Sequence, residues 1–271
     1  MDHALPQPSL SRSRKGVSLL TSMACSLLLS ATCSAGEVVA RFAEGEGQTA
    51  ADQFPGGPGD GWLDGWKAKP PLKEDFSVKV GANPAFPNTP HVLQISRLAG
   101  KNPLTLSRIL EAIPVDASKP HTVSFDIQAG QYSSEADANF RLTISGAAAT
   151  ESDGGKTSAT LWTLTTQRIS GQQNGWIAMG SEGGAKKFIP LGVTFMMEVV
   201  YSVKITVNPA ARSFSVSINN GNTSSESAEM LFQTGDASLT PNQLSFSGWV
   251  QGGVGGPFAW SLANIVVQQT P

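Results

Sequence analysis

The sequence predicts an all-β fold in which two antiparallel β-sheets pack face to face. Many segments alternate between apolar and polar residues with a period of two, and no segment shows sustained helical periodicity. Turn-forming sequences separate these segments in a chain of 271 residues with 28 glycines and 17 prolines. Such alternation is typical of antiparallel strands with one face on a core and the other in water. About a dozen short strands of this kind indicate a sandwich or a barrel.

The individual strands follow from this alternation and from the turns. Four segments alternate most regularly: 122–129, 140–145, 201–208 and 213–218. Further strands are expected at 37–43, 91–98, 104–110, 158–169, 176–181, 187–190, 226–232, 243–250 and 258–268. Hairpin turns are expected at 171–175 and 181–185, and Asn220-Gly221 favours a type I′ turn. The tryptophans of the irregular, glycine-rich segment 52–66 are expected to plug one end of the sandwich.

The N-terminus predicts a secretory signal peptide. Arg12, Arg14 and Lys15 precede an apolar run over 17–29, and small residues lead to a cleavage site after Ala35. The run is shorter than the ~20 residues of a membrane-spanning helix, so no stable membrane insertion is expected after cleavage.

Two domain boundaries follow from this interpretation. Residues 1–35 are the signal peptide, and residues 36–271 form one β-sandwich domain that is secreted, either extracellular or periplasmic. Both cysteines, Cys25 and Cys33, lie in the signal peptide. The formal net charge is −2 and no basic run occurs, which argues against a nucleic-acid partner.

Four parts of the chain carry recognisable segments: DQF…GDGW…GW over 52–66, TVSFD over 122–126, YSVKITV over 201–207 with 213–218, and WSLANIVV over 260–267. These segments resemble the concanavalin A-like, laminin-G-like jelly-roll domains of secreted bacterial proteins. The resemblance covers nearly all of 36–271 and implies a two-sheet jelly roll. It also implies glycan binding, sometimes with calcium, because such domains often bind glycans and some relatives are glycanases or polysaccharide lyases.

Exposed tryptophans and outward polar side chains are the expected means of binding a glycan. One tryptophan that buries roughly 100 Å² of apolar surface contributes about 2.5 kcal/mol, whereas a millimolar site needs about 4.1 kcal/mol. Two aromatic side chains, or one with a hydrogen-bonding cluster, must therefore cooperate. Trp162 and Trp260 are expected in the core. The candidate ligand-binding residues are Trp62, Trp66, Trp176 and Trp249, with Asp126, Gln128 and Arg141 as an outward polar row in one groove.

Calcium is the one cofactor for which the sequence offers a candidate site. Asp60 and Asp64 lie four residues apart in a glycine-rich loop and offer the oxygen ligands that calcium prefers. The terminal strand of the resembled domains often carries an aspartate where this chain has Ala263.

Catalytic motifs are incomplete. The pairs Glu135/Asp137 and Glu151/Asp153 lack the third carboxylate of the Glu-x-Asp-x-x-Glu motif of glucanases with this fold. For a polysaccharide lyase the candidates are Gln131-Tyr132, together with two histidines expected at the surface, His91 and His121. We therefore expect a secreted, non-catalytic carbohydrate-binding protein. The alternatives are a polysaccharide-degrading enzyme, or a structural or adhesive surface protein that has a protein partner.

Overall fold

The structure, a computed structural model, describes residues 36–40, 42, 61–69, 76–89, 91–98, 103–112, 114–131, 139–149, 159–168, 174–251 and 256–270. The predicted signal peptide lies outside these residues. Sixteen strands occur in the described part of the chain. In chain order they are β1 (Glu37–Ala40), β2 (Lys67–Lys69), β3 (Phe76–Gly81), β4 (Val92–Arg97), β5 (Leu104–Ile109), β6 (His121–Gly130), β7 (Phe140–Ala148), β8 (Ala159–Arg168), β9 (Asn174–Glu182), β10 (Ala185–Thr194), β11 (Val200–Asn208), β12 (Ser213–Asn219), β13 (Ser224–Glu226), β14 (Met230–Leu231), β15 (Gln243–Val250) and β16 (Phe258–Gln269).

The strands pair antiparallel in two layers. Layer A has the order β2-β5-β15-β7-β8-β9-β10. Layer B has the order β12-β11-β6-β16-β4-β3, with β13 beside β12 and β1 beside β16. The short strand β14 joins the layers at one edge, because it pairs with both β12 and β9. The predicted all-β, antiparallel jelly-roll sandwich is confirmed.

Aromatic side chains from the two layers meet in the core. Four ring pairs join a strand of one layer to a strand of the other: Phe125–Phe246 at 5.1 Å, Trp176–Tyr201 at 5.2 Å, Phe140–Phe258 at 5.6 Å and Trp162–Phe214 at 6.2 Å between ring centroids. The layers approach closely where Gly248 faces Trp260, since a Cβ at this glycine would lie 2.5 Å from the indole nitrogen. Trp162 and Trp260 are buried, as predicted.

The thirteen predicted strand segments all contain strands. No strand was predicted at β2 or β3, and the predicted strand 226–232 corresponds to β14 and the last residue of β13. The β9–β10 hairpin turns through Gly183 and Gly184, both at positive φ, as a type I′ turn requires. The type I′ prediction at Asn220 is wrong: only Gly221 has a positive φ there, and residues 220–223 form a longer loop between β12 and β13.

No helix among the described residues is long and apolar enough to cross a membrane.

Candidate functional site

Two parallel rows of hydroxyl side chains cross the outward face of layer A. Each row contributes one residue from β5, β15, β7 and β8, and strand register places the four side by side. The rows are Thr105–Ser247–Thr143–Thr165 and Ser107–Ser245–Ser145–Thr163. Neighbouring strands lie about 4.8 Å apart, and residues two apart on one strand are separated by about 6.7 Å. These eight side chains form a regular grid, here called the hydroxyl array.

Hydrogen bonds orient the hydroxyls of the array. The Thr105 hydroxyl donates to Ser247 at 3.0 Å. The Thr165 hydroxyl donates to the carbonyl of Leu142 at 2.9 Å. Because its single proton is used there, the Thr143 hydroxyl is the donor in the 2.9 Å hydrogen bond between Thr143 and Thr165. Threonines on β8 are nearly covered, whereas the array members on β5, β15 and β7 are half-buried. Since each hydroxyl has one donor and two acceptor sites, the partly exposed members retain capacity for a ligand.

The two ends of the array differ in character. Lys67 and Lys69 on β2 stand opposite Ser107 and Thr105. At the other end the outward side chains are apolar: Ile177 and Met179 on β9, followed by Phe188 on β10, which is half-exposed. A ligand lying across the strands therefore contacts cations at one end and apolar groups at the other.

Trp249 and Arg141 extend the same face beyond the hydroxyl array. They are direct partners on β15 and β7, a position that brings the Cβ atoms to within about 5.5 Å. Trp249 is half-buried, whereas Arg141 is only 5% exposed. The guanidinium donates through Nε to Gln251 Oε1 at 2.9 Å and through Nη1 to the Phe140 carbonyl at 2.8 Å. Desolvation by burial, and then repulsion from Arg168, lower the pKa of Arg141.

Trp62, Trp66 and Trp176 are buried, with at most 2% of each accessible, so their prediction as ligand-binding residues is wrong, whereas the burial of Trp62 and Trp66 agrees with the expected plug at one end of the sandwich. The Arg108 guanidinium stacks 4.7 Å from the Trp62 ring and 5.7 Å from the Trp66 ring, which closes one end of the core. Trp176 is turned inward and contacts Tyr201. These indoles support the fold and cannot serve as sugar platforms.

Asp126 and Gln128 lie on the outward face of layer B, so the predicted common groove with Arg141 is wrong. All three residues point away from the core, but β6 and β7 belong to different layers, and their outward faces are on opposite sides of the sandwich. The Gln128 amide is held internally, because it donates to the Glu198 carbonyl at 3.0 Å and accepts from Asn83 at 3.3 Å.

Asp126 belongs to a separate polar pocket of about 410 Å³. Its carboxylate accepts from the Ser202 hydroxyl at 2.6 Å and from the Asn264 amide at 2.7 Å. Asn264 has a φ of 51° and sits at a bulge of β16, between the register partners Ala263 and Val266. The role of Asn264 could not be predicted from the sequence, because strand alternation carries no signal for a bulge.

A further cavity of about 570 Å³ lies at one end of the sandwich, near Asp116 and Asn242. Its polar side chains are used to hold loops: Asp116 accepts two hydrogen bonds from Ser118, and Asn242 bonds both the amide and the carbonyl of Ala149. This cavity therefore offers fewer groups to a ligand than the outward face of layer A.

The predicted calcium site is only partly described. Asp60 lies outside the described residues. Asp64 is ion-paired with Lys67 at 2.5 Å, and its backbone carbonyl accepts from Arg108 at 2.9 Å. Among the described side chains, no group of three or more His, Cys, Asp or Glu residues could hold a metal ion. Calcium binding here stays a prediction.

The catalytic alternatives fall largely outside the described residues, which do not include Tyr132, Glu135, Asp137, Glu151 and Asp153. His121 was expected at the surface, and this expectation is wrong, because it is 1% exposed. Desolvation lowers the pKa of His121 and thus keeps the ring neutral. Its Nδ1 lies 2.8 Å from the Lys119 carbonyl; since a carbonyl can only accept, Nδ1 carries the proton.

The described strands define an antiparallel β-sandwich whose outward layer A face combines a partly exposed tryptophan with ordered hydroxyls. No family model matches the chain, and no curated protein matches it. Among solved structures it is similar to a sialidase, with 16% identity over 72% of this chain and 17% of the sialidase chain, at a TM-score of 0.47.

For two other solved structures, the match with this chain covers most of the other protein's length. A carbohydrate esterase from the Shiga toxin-encoding bacteriophage phi24B has 13% identity over 77% of this chain and 92% of that one, at a TM-score of 0.48. An alginate lyase from Klebsiella pneumoniae has 8% identity over 66% of this chain and 82% of the lyase chain, at a TM-score of 0.45. None of these likenesses assigns a function to this chain.

Proposed function

We propose that the protein is a secreted, non-catalytic carbohydrate-binding protein that holds a polysaccharide across the outward face of layer A. The observation that carries the proposal is the position of the partly exposed Trp249 beside the hydroxyl array on one sheet face. Secretion follows from the predicted signal peptide at 1–35.

The two parts of this face match the two parts of a sugar. Sugar rings present apolar C–H faces, which stack on an indole, and hydroxyl edges, which both donate and accept hydrogen bonds. The array hydroxyls have the same dual capacity and lie in straight rows across the strands. Rows of this kind suit an extended chain of sugars better than a single ring.

The energies of these contacts reach the affinity that a binding protein needs. Stacking that buries roughly 100 Å² on Trp249 contributes about 2.5 kcal/mol. Each well-made hydrogen bond adds about 0.5–1.5 kcal/mol net. At about 1 kcal/mol each, three or four such bonds together with the indole reach about 5.5–6.5 kcal/mol, which exceeds the roughly 4.1 kcal/mol of a millimolar complex. This surplus offsets part of the cost of immobilising the chain.

Affinity electrophoresis tests the proposal. Purified 36–271 is run through gels that contain embedded polysaccharides, and each lane is then stained for loss of polymer. We expect at least one polysaccharide to slow the protein without being cleared. Trp249→Ala is expected to restore free mobility, and Thr143→Val is expected to weaken the slowing. Thr206→Val is the matched control, because Thr206 is an outward threonine on the central strand β11 of layer B.

Three results would contradict the proposal. A cleared lane would identify a polysaccharide-degrading enzyme and direct mutation to Glu135 and Asp137. Free mobility in every gel would favour a structural or adhesive protein with a protein partner. Slowing that survives Trp249→Ala would place the binding surface elsewhere. Parallel gels with calcium and with EDTA test the predicted calcium site. If Asp60 and Asp64 hold calcium, EDTA is expected to abolish the slowing.

A further inference from the structure

We infer that the outward face of layer A takes an acidic polysaccharide, one of whose carboxylates binds at Arg141 while the sugar ring that carries it stacks on Trp249. This inference rests on the proposed function and names the ligand class of the same site.

Arg141 is a nearly buried cation whose hydrogen-bond partners among the described residues are all neutral. Among the described residues no carboxylate pairs with it, and its two hydrogen-bond acceptors are an amide oxygen and a carbonyl oxygen. A buried charge without an opposite charge is unfavourable by several kcal/mol. Arg168 makes the local potential more positive still. An anionic ligand would remove this penalty.

The distribution of charge differs between the layers. The strands of layer A contain the cations Lys67, Lys69, Arg108, Arg141, Arg168, Lys186 and Lys187, and a single acid, Glu182. That acid is ion-paired with Lys187 at 2.8 Å. The strands of layer B carry acids and cations in equal number: Glu37, Asp126 and Glu226 against Lys79, Arg97 and Lys204. Among the strand residues, the excess of cations thus lies in layer A, where Arg108 is turned inward onto Trp62 and Trp66 and Lys67 is paired with Asp64.

Cations lie at two places around the array. Arg141 lies at the Trp249 end of β7, and Lys67 and Lys69 lie beyond β5 at the outer edge of the same face. Because Lys67 is ion-paired with Asp64, Lys69 is the cation that a polymer crossing the rows meets at this edge, in addition to Arg141. Arg141 offers the planar fork that pairs with a carboxylate, and its Nη2 donates to no described residue.

The test compares each acidic polysaccharide with its own neutral derivative. Gels contain polygalacturonate, alginate or hyaluronate, or the same polymer after chemical reduction of its carboxyl groups to alcohols. The two members of a pair have the same backbone, so a difference between them isolates the carboxylate. We expect at least one acidic polymer to slow residues 36–271, and its reduced form to bind about tenfold or more weakly, since a charge-assisted hydrogen bond contributes about 1.5–3 kcal/mol.

Variants locate the subsite. Arg141→Gln is expected to weaken binding of the acidic polymer about tenfold and thereby to remove most of the difference between the acidic and the reduced polymer. Lys69→Gln, at an exposed position, is expected to weaken acidic binding by a smaller factor. If Arg141→Gln does not fold, the Lys69→Gln variant still tests whether cations on this face bind the acidic polymer. Lys204→Gln is the control, because Lys204 is an outward lysine of layer B and no effect is expected.

The outcomes separate this inference from the proposed function. Equal binding of an acidic polymer and its reduced form would overturn the inference and leave the carbohydrate-binding proposal standing. Binding to no polymer in the panel, acidic or neutral, would overturn both. Acidic binding that Lys204→Gln weakens as much as Arg141→Gln would show attraction to charge without a subsite, and would also overturn the inference.

Discussion

The contact between Phe125 and Phe246 provides a quantitative test of how the two layers pack. Phe125 lies on β6 in layer B and Phe246 on β15 in layer A. Their ring centroids are 5.1 Å apart with an interplanar angle of 90°, an edge-to-face arrangement, and at most 2% of either side chain is exposed. Such a pair contributes about 0.5–1.5 kcal/mol beyond the area that it buries.

A double-mutant cycle with Phe125→Leu and Phe246→Leu measures this contribution. Each single change is expected to lower the free energy of unfolding by about 0.5–3 kcal/mol. The double variant should lose less than the sum of the two, by about 0.5–1.5 kcal/mol. Urea titration followed by tryptophan fluorescence gives the free energies.

The control cycle combines Phe246→Leu with Phe232→Leu. The Phe232 ring contacts Phe214, not Phe246, so the two changes should add to within about 0.5 kcal/mol. A coupling of zero between Phe125 and Phe246 would refute the packing of these layers face to face.

Three further predictions concern the core, the buried histidine and the tryptophans. Gly248→Ala should destabilise the protein by about 1–3 kcal/mol, because the added Cβ meets the Trp260 side chain. Gly81→Ala is the control: its added Cβ has no neighbour nearer than 3.9 Å, so it should change stability little in the same urea assay. Because the pKa of His121 is lowered in the folded protein, the unfolded chain takes up a proton at this ring first as the pH falls, so the free energy of unfolding should decrease below about pH 6.5. His121→Gln should flatten this dependence between pH 7.5 and 5.5. An unchanged slope would count against a neutral, buried ring. Trp176→Phe should lower the urea midpoint and leave glycan binding of the folded protein intact, and a loss of binding without a loss of stability would contradict its place in the core.

Strand positions could be predicted from sequence because alternation is a local property. The segments 201–208 and 213–218 alternate cleanly, and the structure pairs them along their length. The strand β2 was missed because it has only three residues, and β3 was missed because it lies at a sheet edge, where burial imposes less alternation. Alternation also identified Trp162 and Trp260 as core residues.

The candidate site could be predicted only in part, because it depends on which strands become neighbours. Alternation shows that Asp126 and Arg141 both point outward, but it does not reveal that β6 and β7 lie in different layers. The hydroxyl array could not be predicted, because β15 is distant in the chain from β5, β7 and β8 and only strand register aligns the hydroxyls. Trp62 and Trp66 follow an irregular segment in which no periodicity distinguishes buried from exposed side chains.

The most direct test of the central claim is the site of contact on the folded protein. Uniformly ¹⁵N-labelled 36–271 is titrated with an oligosaccharide prepared from whichever polysaccharide slows it most, and the indole N–H signals of its tryptophans are followed by NMR, with Trp249→Phe as the assignment variant. We predict that the Trp249 indole shifts together with backbone amides of β15 and β7, while the indoles of the buried Trp162 and Trp260 stay in place. Shifts confined to layer B, around Asp126, Ser202 and Asn264, would contradict the account.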